Sequence, residues 1–153
     1  MNTTYKYIFA EFKDKITDTD LLMFMEDLQN EMLVALMNKA ISKCERVVKE
    51  EVDLSKRDDE LMTFLVDIPS EVIDIITEWM VVYWLKPYVN NIENLRNNLS
   101  TKDFTVFSPA NLLEKIGDRY TSARKYARSI TNEYSFMIAD MARLKTWLKL
   151  NMD

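Results

Sequence analysis

Acidic side chains are the most concentrated groups in this sequence that could do chemistry. Asp58, Asp59 and Glu60 are consecutive, and Asp18 and Asp20 form a second cluster nearer the N-terminus. Carboxylate oxygens are ligands that calcium and magnesium prefer. Neither cluster has the calcium-loop pattern, which needs ligands at alternating positions, a central glycine and a terminal glutamate. We therefore interpret both as solvated charged segments and expect no metal.

Residues for other catalytic chemistries are scarce. Histidine is absent and Cys44 is the only cysteine, which removes most nucleophile–base pairs, imidazole general acids and the usual zinc sites. With one glycine, Gly117, the chain has no glycine-rich phosphate loop. Two carboxylates could still pair in space for acid–base catalysis, but nothing singles out such a pair. We expect no enzyme activity and no cofactor, and interpret Cys44 as a small buried hydrophobic residue.

The composition favours one helical domain over residues 1–153. A hydrophobic fraction of 48% and a charged fraction of 29% are ordinary for a folded soluble protein. One glycine and three prolines leave few tight turns, which favours long helices. The longest purely apolar run, residues 79–85, is far shorter than the roughly 20 residues that cross a bilayer. No secretory signal is visible, so we expect a soluble intracellular protein that does not enter a membrane.

The net charge of −5 is unevenly distributed along the chain. Residues 1–108 carry 12 basic and 20 acidic side chains, whereas residues 109–153 carry 8 basic and 5 acidic ones. Such asymmetry suits head-to-tail contacts between copies or partners, although surface charge also fluctuates by chance along a chain. It disfavours broad nucleic-acid binding, for which a basic domain is expected.

The first elements that would position these groups are helices. Apolar residues at three- and four-residue spacing predict a helix over residues 5–14, with an N-cap at one of the threonines 3–4. Residues 17–20 offer four candidate caps for a second helix. We predict that this helix breaks near residue 27 and ends at residues 44–48.

Residues 46–68 do not follow a regular apolar period. They are rich in charge and contain apolar anchors that include Val52, Leu54 and Phe64. We predict an irregular excursion between the second and third main helices, with a possible short strand or hairpin arm. Ser70 follows as the expected cap of the next helix.

The third main helix is apolar almost all round. Only Glu71, Asp74 and Glu78 mark a polar stripe, and a helix that is hydrophobic on every side must be buried on every side. Pro87 is expected to kink or end this helix. A further amphipathic stretch is predicted over residues 89–99.

Ser108 as cap and Pro109 as first helical residue begin the longest predicted helix, residues 109–149. As one unbroken helix it would span about 60 Å, whereas a globule of this size is roughly 30 to 40 Å across. Part of it should therefore project or lie along another subunit, unless Gly117 marks a bend. Its heptad seam consists of Leu113, Ile116, Tyr120, Ala123, Ala127, Ile130, Tyr134, Met137, Met141, Leu144 and Leu148.

Short segments in the first 111 residues, in their order and spacing, carry a family resemblance. The segments are Lys15-Ile16-Thr17-Asp18, Asp53-Leu54-Ser55, Arg57-Asp58-Asp59-Glu60, Phe64, Asp67-Ile68, Met80-Val81-Val82, Trp84-Leu85, Pro87, Leu99-Ser100-Thr101-Lys102-Asp103-Phe104 and Ser108-Pro109-Ala110-Asn111. With them the chain resembles the small head–tail connector, or neck adaptor, proteins of tailed bacteriophages. The last 40 residues match only in being a long helix with aromatic and basic residues.

The resemblance implies an all-α structural protein without enzymatic activity. Such adaptors form a ring, commonly dodecameric, beneath the portal protein, and bind further neck or tail proteins. DNA passes through the ring without sequence-specific binding, and an acidic average charge would let it slide. The implied location is the virion neck between capsid and tail, after assembly in the bacterial host cytoplasm.

Partner contacts are expected from the irregular arm and from the long C-terminal helix. The alternative from another class is a small regulatory protein, antitoxin- or anti-repressor-like, that binds one partner through its coiled-coil seam. Trp147, beside Lys145 and Lys149, is either a partner anchor or a packed side chain at the end of the bundle. The candidate contact residues are Val52, Leu54, Phe64, Tyr134, Met137, Met141, Arg143, Leu144, Trp147 and Leu148.

Overall fold

The computed structural model describes residues 1–17, 28–89, 91 and 109–152. Within these ranges the chain is nearly all helical, which confirms the predicted all-α class with a long C-terminal helix. The elements, in chain order, are α1 (Tyr5–Thr17), α2 (Asn30–Val48), β1 (Arg57–Asp58), β2 (Thr63–Phe64), α3 (Ser70–Val89) and α4 (Pro109–Met152).

Several sequence predictions concern residues outside the described ranges. They are the acidic cluster at Asp18 and Asp20, the helix break near residue 27, most of the amphipathic stretch 89–99 and the Ser108 cap.

Helix α3 lies at the centre of the bundle, in contact with α1, α2 and α4. Its apolar side chains are buried on all sides, as the near absence of a polar face predicts. The fully or almost fully buried members include Val72, Ile75, Ile76, Met80, Val81 and Leu85. Because apolar burial contributes roughly 25 cal/mol per Å², this helix supplies much of the force that holds the three others together.

Two residues of the polar stripe of α3, Asp74 and Glu78, are paired with cations from two other helices. Glu78 is buried, and its Oε2 accepts a hydrogen bond from Lys15 Nζ of α1 at 3.0 Å. Lys15 also pairs with Asp74, and Arg119 of α4 lies 3.8 Å from Glu78 Oε1. Burial by itself lowers the pKa of Lys15, but the bonds to Asp74 and Glu78 outweigh it and raise that pKa above 10.5. A buried carboxylate needs such partners, so this cluster fixes how α1 and α4 sit on α3.

The predicted irregular arm contains a very short antiparallel hairpin. Arg57 pairs with Phe64 and Asp58 with Thr63. The N-terminal residues pair with the hairpin too, since the amide of Phe64 donates to the carbonyl of Thr3 at 2.8 Å. The arm is thereby fastened to the start of α1.

The N-cap of α1 is one of the two predicted threonines. Thr4 Oγ1 accepts a hydrogen bond from the amide of Tyr7 at 3.3 Å, which is the usual geometry of a threonine cap. The helix runs to Thr17, three residues beyond the predicted end, because Lys15 is held by its ion pairs and Ile16 is fully buried.

The predicted boundaries of α3 need correction. The amides of Val72 and Ile73 donate to the carbonyl of Pro69 at 3.0 Å, so Ser70 is the first helical residue and not the cap. The helix also continues through Pro87 to Val89.

Helix α4 is continuous over 44 residues, about 66 Å at 1.5 Å per residue, and does not end at Gly117. One side of it packs against the bundle from Leu112 to Tyr134. Every residue from 139 to 152 is exposed. The predicted seam therefore divides into a packed part and a part that extends beyond the chain's own core.

Truncation of a core leucine should be far more damaging than truncation of an exposed one. Leu85 of α3 is 1% exposed and Leu150 of α4 is 76% exposed. We expect Leu85→Ala to lower the free energy of unfolding by about 2–5 kcal/mol, because it leaves a cavity. Leu150→Ala should change it by less than about 0.5 kcal/mol. Urea denaturation followed by circular dichroism measures both, and equal losses would contradict the described core.

Replacement of the single glycine should stabilise the protein. Gly117 lies inside α4 without a positive φ, and an added Cβ would meet no atom within 4 Å. Gly117→Ala should raise the free energy of unfolding by about 1 kcal/mol, because alanine loses less backbone entropy in a helix. Gly117→Pro should lower it by about 3 kcal/mol. A thermal melt that ranks the proline variant above wild type would mean that α4 is interrupted here.

Candidate protein-interaction surface

The last part of α4 exposes an unusual amount of apolar surface. We call residues 139–152 the projecting segment; all of them are exposed. Trp147, the largest of its side chains, is 59% exposed. The exposed large apolar residues here and at the base of the segment are Phe136, Met137, Met141, Leu144, Trp147, Leu148, Leu150 and Met152. Contiguous apolar surface of this kind is typical of a binding site for another protein.

The projecting segment is helical because the packed part of α4 nucleates it. A free helix of this length is marginal in water, but extension of an existing helix needs no new nucleus. Its alanine, leucine, methionine, lysine and arginine residues all favour helix. Arg143 and Asp140 pair at 3.5 Å across one turn, although both are so exposed that the pair adds little stability.

The base of the projecting segment is fixed to the bundle by two side-chain hydrogen bonds. The indole nitrogen of Trp79 donates to Thr131 Oγ1 at 3.0 Å inside the core. One turn further on, the Tyr134 hydroxyl donates to Glu51 Oε2 at 3.0 Å. The pKa of Tyr134 is raised to about 12, mainly by burial and secondly by this hydrogen bond. These contacts set the direction in which α4 leaves the bundle.

An apolar stripe continues from this base along one side of the helix. Phe136, Met137, Met141 and Leu144 line one shallow surface. Leu148 follows Leu144 by four residues and so extends the same side. The stripe keeps the three- and four-residue spacing of a coiled-coil seam, so a helix or a hydrophobic groove of a partner would fit it.

Four of the predicted contact residues are not on this surface. Val52, Leu54 and Phe64 are buried in the chain's own core, where the Phe64 and Tyr5 rings lie 5.1 Å apart. Tyr134 is buried as well, and its hydroxyl is used by Glu51. These four side chains are therefore not on the surface of the described protomer, and their contact with a partner stays a prediction. The arm folds back onto α1, and its apolar anchors stabilise the protomer instead.

The other six predicted residues lie on or beside the exposed stripe. Met137, Met141, Leu144, Trp147 and Leu148 are all exposed. The side chain of Arg143 is exposed too, next to Asp140. The structure thus brings this group together on one helix, and whether a partner binds them stays a prediction.

Three exposed apolar residues of the projecting segment and its base are not among the contact residues predicted from the sequence, namely Phe136, Leu150 and Met152. Phe136 lies off the heptad seam, and Leu150 and Met152 lie beyond residue 149, where the helix was predicted to end. The sequence feature that could have identified them is that apolar residues continue on several faces of the helix, beyond the length that the core can cover.

Other chemistry is sparse in the part of the chain that the structure describes. No three carboxylate or thiol side chains there come close enough to hold a metal ion. Cys44 is fully buried. The pKa of its thiol is raised to about 12, mainly by burial and secondly by the negative charge of Glu45. None of the described helices combines the length and the apolar content needed to cross a lipid bilayer.

Comparisons with protein-family models, with curated proteins and with solved structures found no match to this chain.

The hydrogen bond at the base of the projecting segment should be visible in the pH dependence of stability. Tyr134→Phe should lower the free energy of unfolding by about 1 kcal/mol at neutral pH, because the bond to Glu51 is lost. The folded pKa of about 12 exceeds the ordinary 10.0, so the unfolded chain releases the phenol proton first as pH rises. Wild-type stability should therefore fall between pH 10 and 12 more steeply than that of the variant.

Tyr7→Phe is the matched control for this experiment, since Tyr7 is exposed on α1. Its loss of stability at neutral pH should be within about 0.5 kcal/mol, with an alkaline slope like that of wild type. Urea denaturation at several pH values gives both quantities. Identical alkaline slopes for wild type and Tyr134→Phe would contradict the assignment.

Proposed function

We propose that this protein is a structural adaptor that joins other protein chains through the projecting segment of α4. The observation that carries the proposal is the exposure of every residue from 139 to 152 on a helix rich in Leu, Met and Trp. A monomer gains nothing from keeping such a surface in water, because apolar area is stabilised when it is buried. Binding of another protein chain would provide that burial.

The specific assignment that we propose is a neck adaptor of a tailed bacteriophage. In this role the protein forms a ring beneath the portal protein and links the capsid to the tail around the DNA channel. The resemblance in residues 15–111 and the long C-terminal helix support the assignment. A compact bundle would supply the body of the ring, and the projecting segment would reach about 21 Å further to a neighbour or to the portal.

The charge of the chain is compatible with a DNA channel. The net charge of −5 would repel phosphates on average, so DNA could pass without being held. Lys145 and Lys149 flank Trp147, which places positive charge beside the apolar stripe. Such rim charges steer a partner and set its orientation more than they add affinity. We therefore assign the affinity to the stripe and the selectivity to its cations.

Affinity for a partner would come from a few exposed apolar side chains and from the number of copies in the ring. Apolar burial contributes roughly 25 cal/mol per Å² before the costs of association are subtracted. Trp147 is the largest exposed anchor, and tryptophan is frequent among the residues that dominate binding energies. One such contact is weak, whereas copies held in one ring bind with a high effective concentration.

The regulatory alternative is favoured by one feature, the coiled-coil spacing of Met137, Met141, Leu144 and Leu148. In that case the isolated protein should be a dimer held by this stripe, and its complex with a partner should be 1:1 or 2:2. A closed ring with the portal protein is not expected. Light scattering of the free protein and of the complex separates the two functions.

A charge on the stripe should abolish assembly without unfolding the protein. We expect Leu148→Glu to prevent incorporation into a ring with the portal protein of the same genome, as seen by electron microscopy. Its circular dichroism and thermal melt should match wild type, because Leu148 is exposed. The expected affinity for the portal falls at least tenfold, since a carboxylate would have to be buried against apolar surface.

Leu65→Glu is the matched control, with the same substitution at a leucine of the arm that is 55% exposed. Leu65 lies outside the projecting segment, so this charge should leave ring formation through the stripe intact. Wild-type protein that never joins a symmetric assembly with the portal would refute the neck-adaptor assignment. Leu148→Glu protein that joins it normally would refute the role of the stripe.

A further inference from the structure

A basic cleft lies between α2, α3 and α4, on the bundle and away from the projecting segment. Its walls carry Lys43 of α2, Lys86 of α3, and Arg124 and Arg128 of α4. Aromatic side chains of α3, including Trp79, form its floor. The cleft encloses about 100 Å³, enough for one or two side chains of a visiting segment.

The positive charge of the cleft is uncompensated within the described part of the chain. No carboxylate lines it, although the chain as a whole has a net charge of −5. Lys43 and Lys86 lie over the rings of Trp79 and Tyr83, each at 5.7 Å. Arg124 and Arg128 stand four residues apart on one helix, where like charges repel. A bound anion would relieve this repulsion.

The floor of the cleft favours a ligand that also has an apolar part. The indole nitrogen of Trp79 already donates to Thr131 at 3.0 Å, so it has no hydrogen to offer a ligand. Trp79 is buried at the base of the cleft, whereas the half-buried Tyr83 presents part of its ring. The chemistry of the site therefore calls for a carboxylate next to an aliphatic side chain.

The tip of the arm hairpin has this chemistry. We define the hairpin tip as residues 59–62. Glu60 is exposed, and Leu61 beside it is 74% exposed. Neither side chain makes a hydrogen bond or ion pair within the described residues. An exposed carboxylate and an exposed leucine in sequence match the cations and rings of the cleft.

The hairpin tip is also held rigidly. Asp58 Oδ1 accepts hydrogen bonds from the amides of Glu60 at 3.0 Å and Leu61 at 2.9 Å. The amide of Tyr5 donates to the carbonyl of Met62 at 2.9 Å. Met62 has a φ of 51°, in the left-handed region that costs energy for a residue with a side chain. A strained, over-determined turn is typical of a segment shaped for recognition, and its rigidity lowers the entropy cost of binding.

We infer that the hairpin tip of one copy of this chain binds in the basic cleft of the next copy. Glu60 would face the four cations, and Leu61 would lie against the aromatic floor. The inference rests on the proposed function, since it specifies how copies of the adaptor contact each other. Because the two surfaces are different patches of one chain, the contact is head-to-tail and generates a ring or an open filament.

The charge distribution along the sequence supports a contact between an acidic and a basic surface of the chain. The tip belongs to residues 1–108, which are acidic on balance, and two of the four cations belong to residues 109–153, which are basic on balance. A single contact in so small a cleft is weak and is screened by salt. Self-association should therefore increase with protein concentration and decrease as salt is added.

Two charge reversals test the contact from its two sides. Glu60→Lys removes the acidic tip and keeps the cleft, whereas Arg124→Glu/Arg128→Glu weakens the cleft and keeps the tip. At low salt and high concentration, sedimentation should show wild-type oligomers and a monomer for each variant alone. An equimolar mixture of the two should give dimers and nothing larger, because only one intact tip–cleft pair can form. We expect at least tenfold weaker self-association for each variant by itself.

Lys125→Glu is the matched control, since Lys125 is exposed on α4 and does not line the cleft. It should self-associate as wild type does. Circular dichroism verifies that every variant is folded. Oligomers of Glu60→Lys alone, no dimer in the mixture, or a wild-type chain that stays monomeric throughout would each overturn the inference.

A DNA duplex of arbitrary sequence, added in a parallel titration, tests the competing ligand. If the cleft binds phosphates instead of the hairpin tip, two results are expected. The double arginine variant loses DNA binding, and Glu60→Lys leaves self-association unchanged. This outcome would show that the inference is wrong. All of these failures differ from a failure of the proposed function. Ring formation with the portal, and its loss in Leu148→Glu, are independent of the cleft.

Discussion

Burial of α3 on all its sides is the constraint on which the rest of the structure depends. This helix has almost no polar face, so α1, α2 and α4 must cover it. Glu78 is its one deeply buried charged residue. It connects two of the covering helices to α3, because Lys15 of α1 and Arg119 of α4 both pair with it. Nonspecific apolar burial supplies the stability, and the paired charges select one arrangement of the helices.

The arrangement around α3 also determines which surfaces remain free. Helix α4 is longer than the bundle that it covers, and Tyr134 is its last buried residue. Ile138 is still partly buried against the core, and every residue from 139 to 152 is exposed, so the apolar stripe is open to other chains. The arm shows the opposite behaviour, because pairing with Thr3 folds it against α1 and buries its apolar anchors. Its rigid tip, with Glu60 and Leu61, remains exposed.

The proposed adaptor role and the proposed copy-to-copy contact use separate parts of the molecule. The stripe on α4 is apolar and reaches away from the bundle, as suits the contact that supplies most of the affinity for a neighbour or a portal. The cleft and the hairpin tip are charged and lie on the body, as suits a weak, orienting contact between copies. In a symmetric assembly many weak contacts of fixed geometry act together, so such a division would allow assembly to be both reversible and specific.

The sequence alone determined the helical class and most helix positions, because apolar periodicity and capping are local properties. The Thr4 cap, the all-round apolar α3 and the start of α4 at Pro109 were all predictable in this way. Burial of Val52, Leu54 and Phe64 was not, since it depends on the arm pairing with the N-terminus some sixty residues away. Lys43 and Lys86 likewise meet Arg124 and Arg128 only after three helices pack, because no local pattern encodes which distant faces come together.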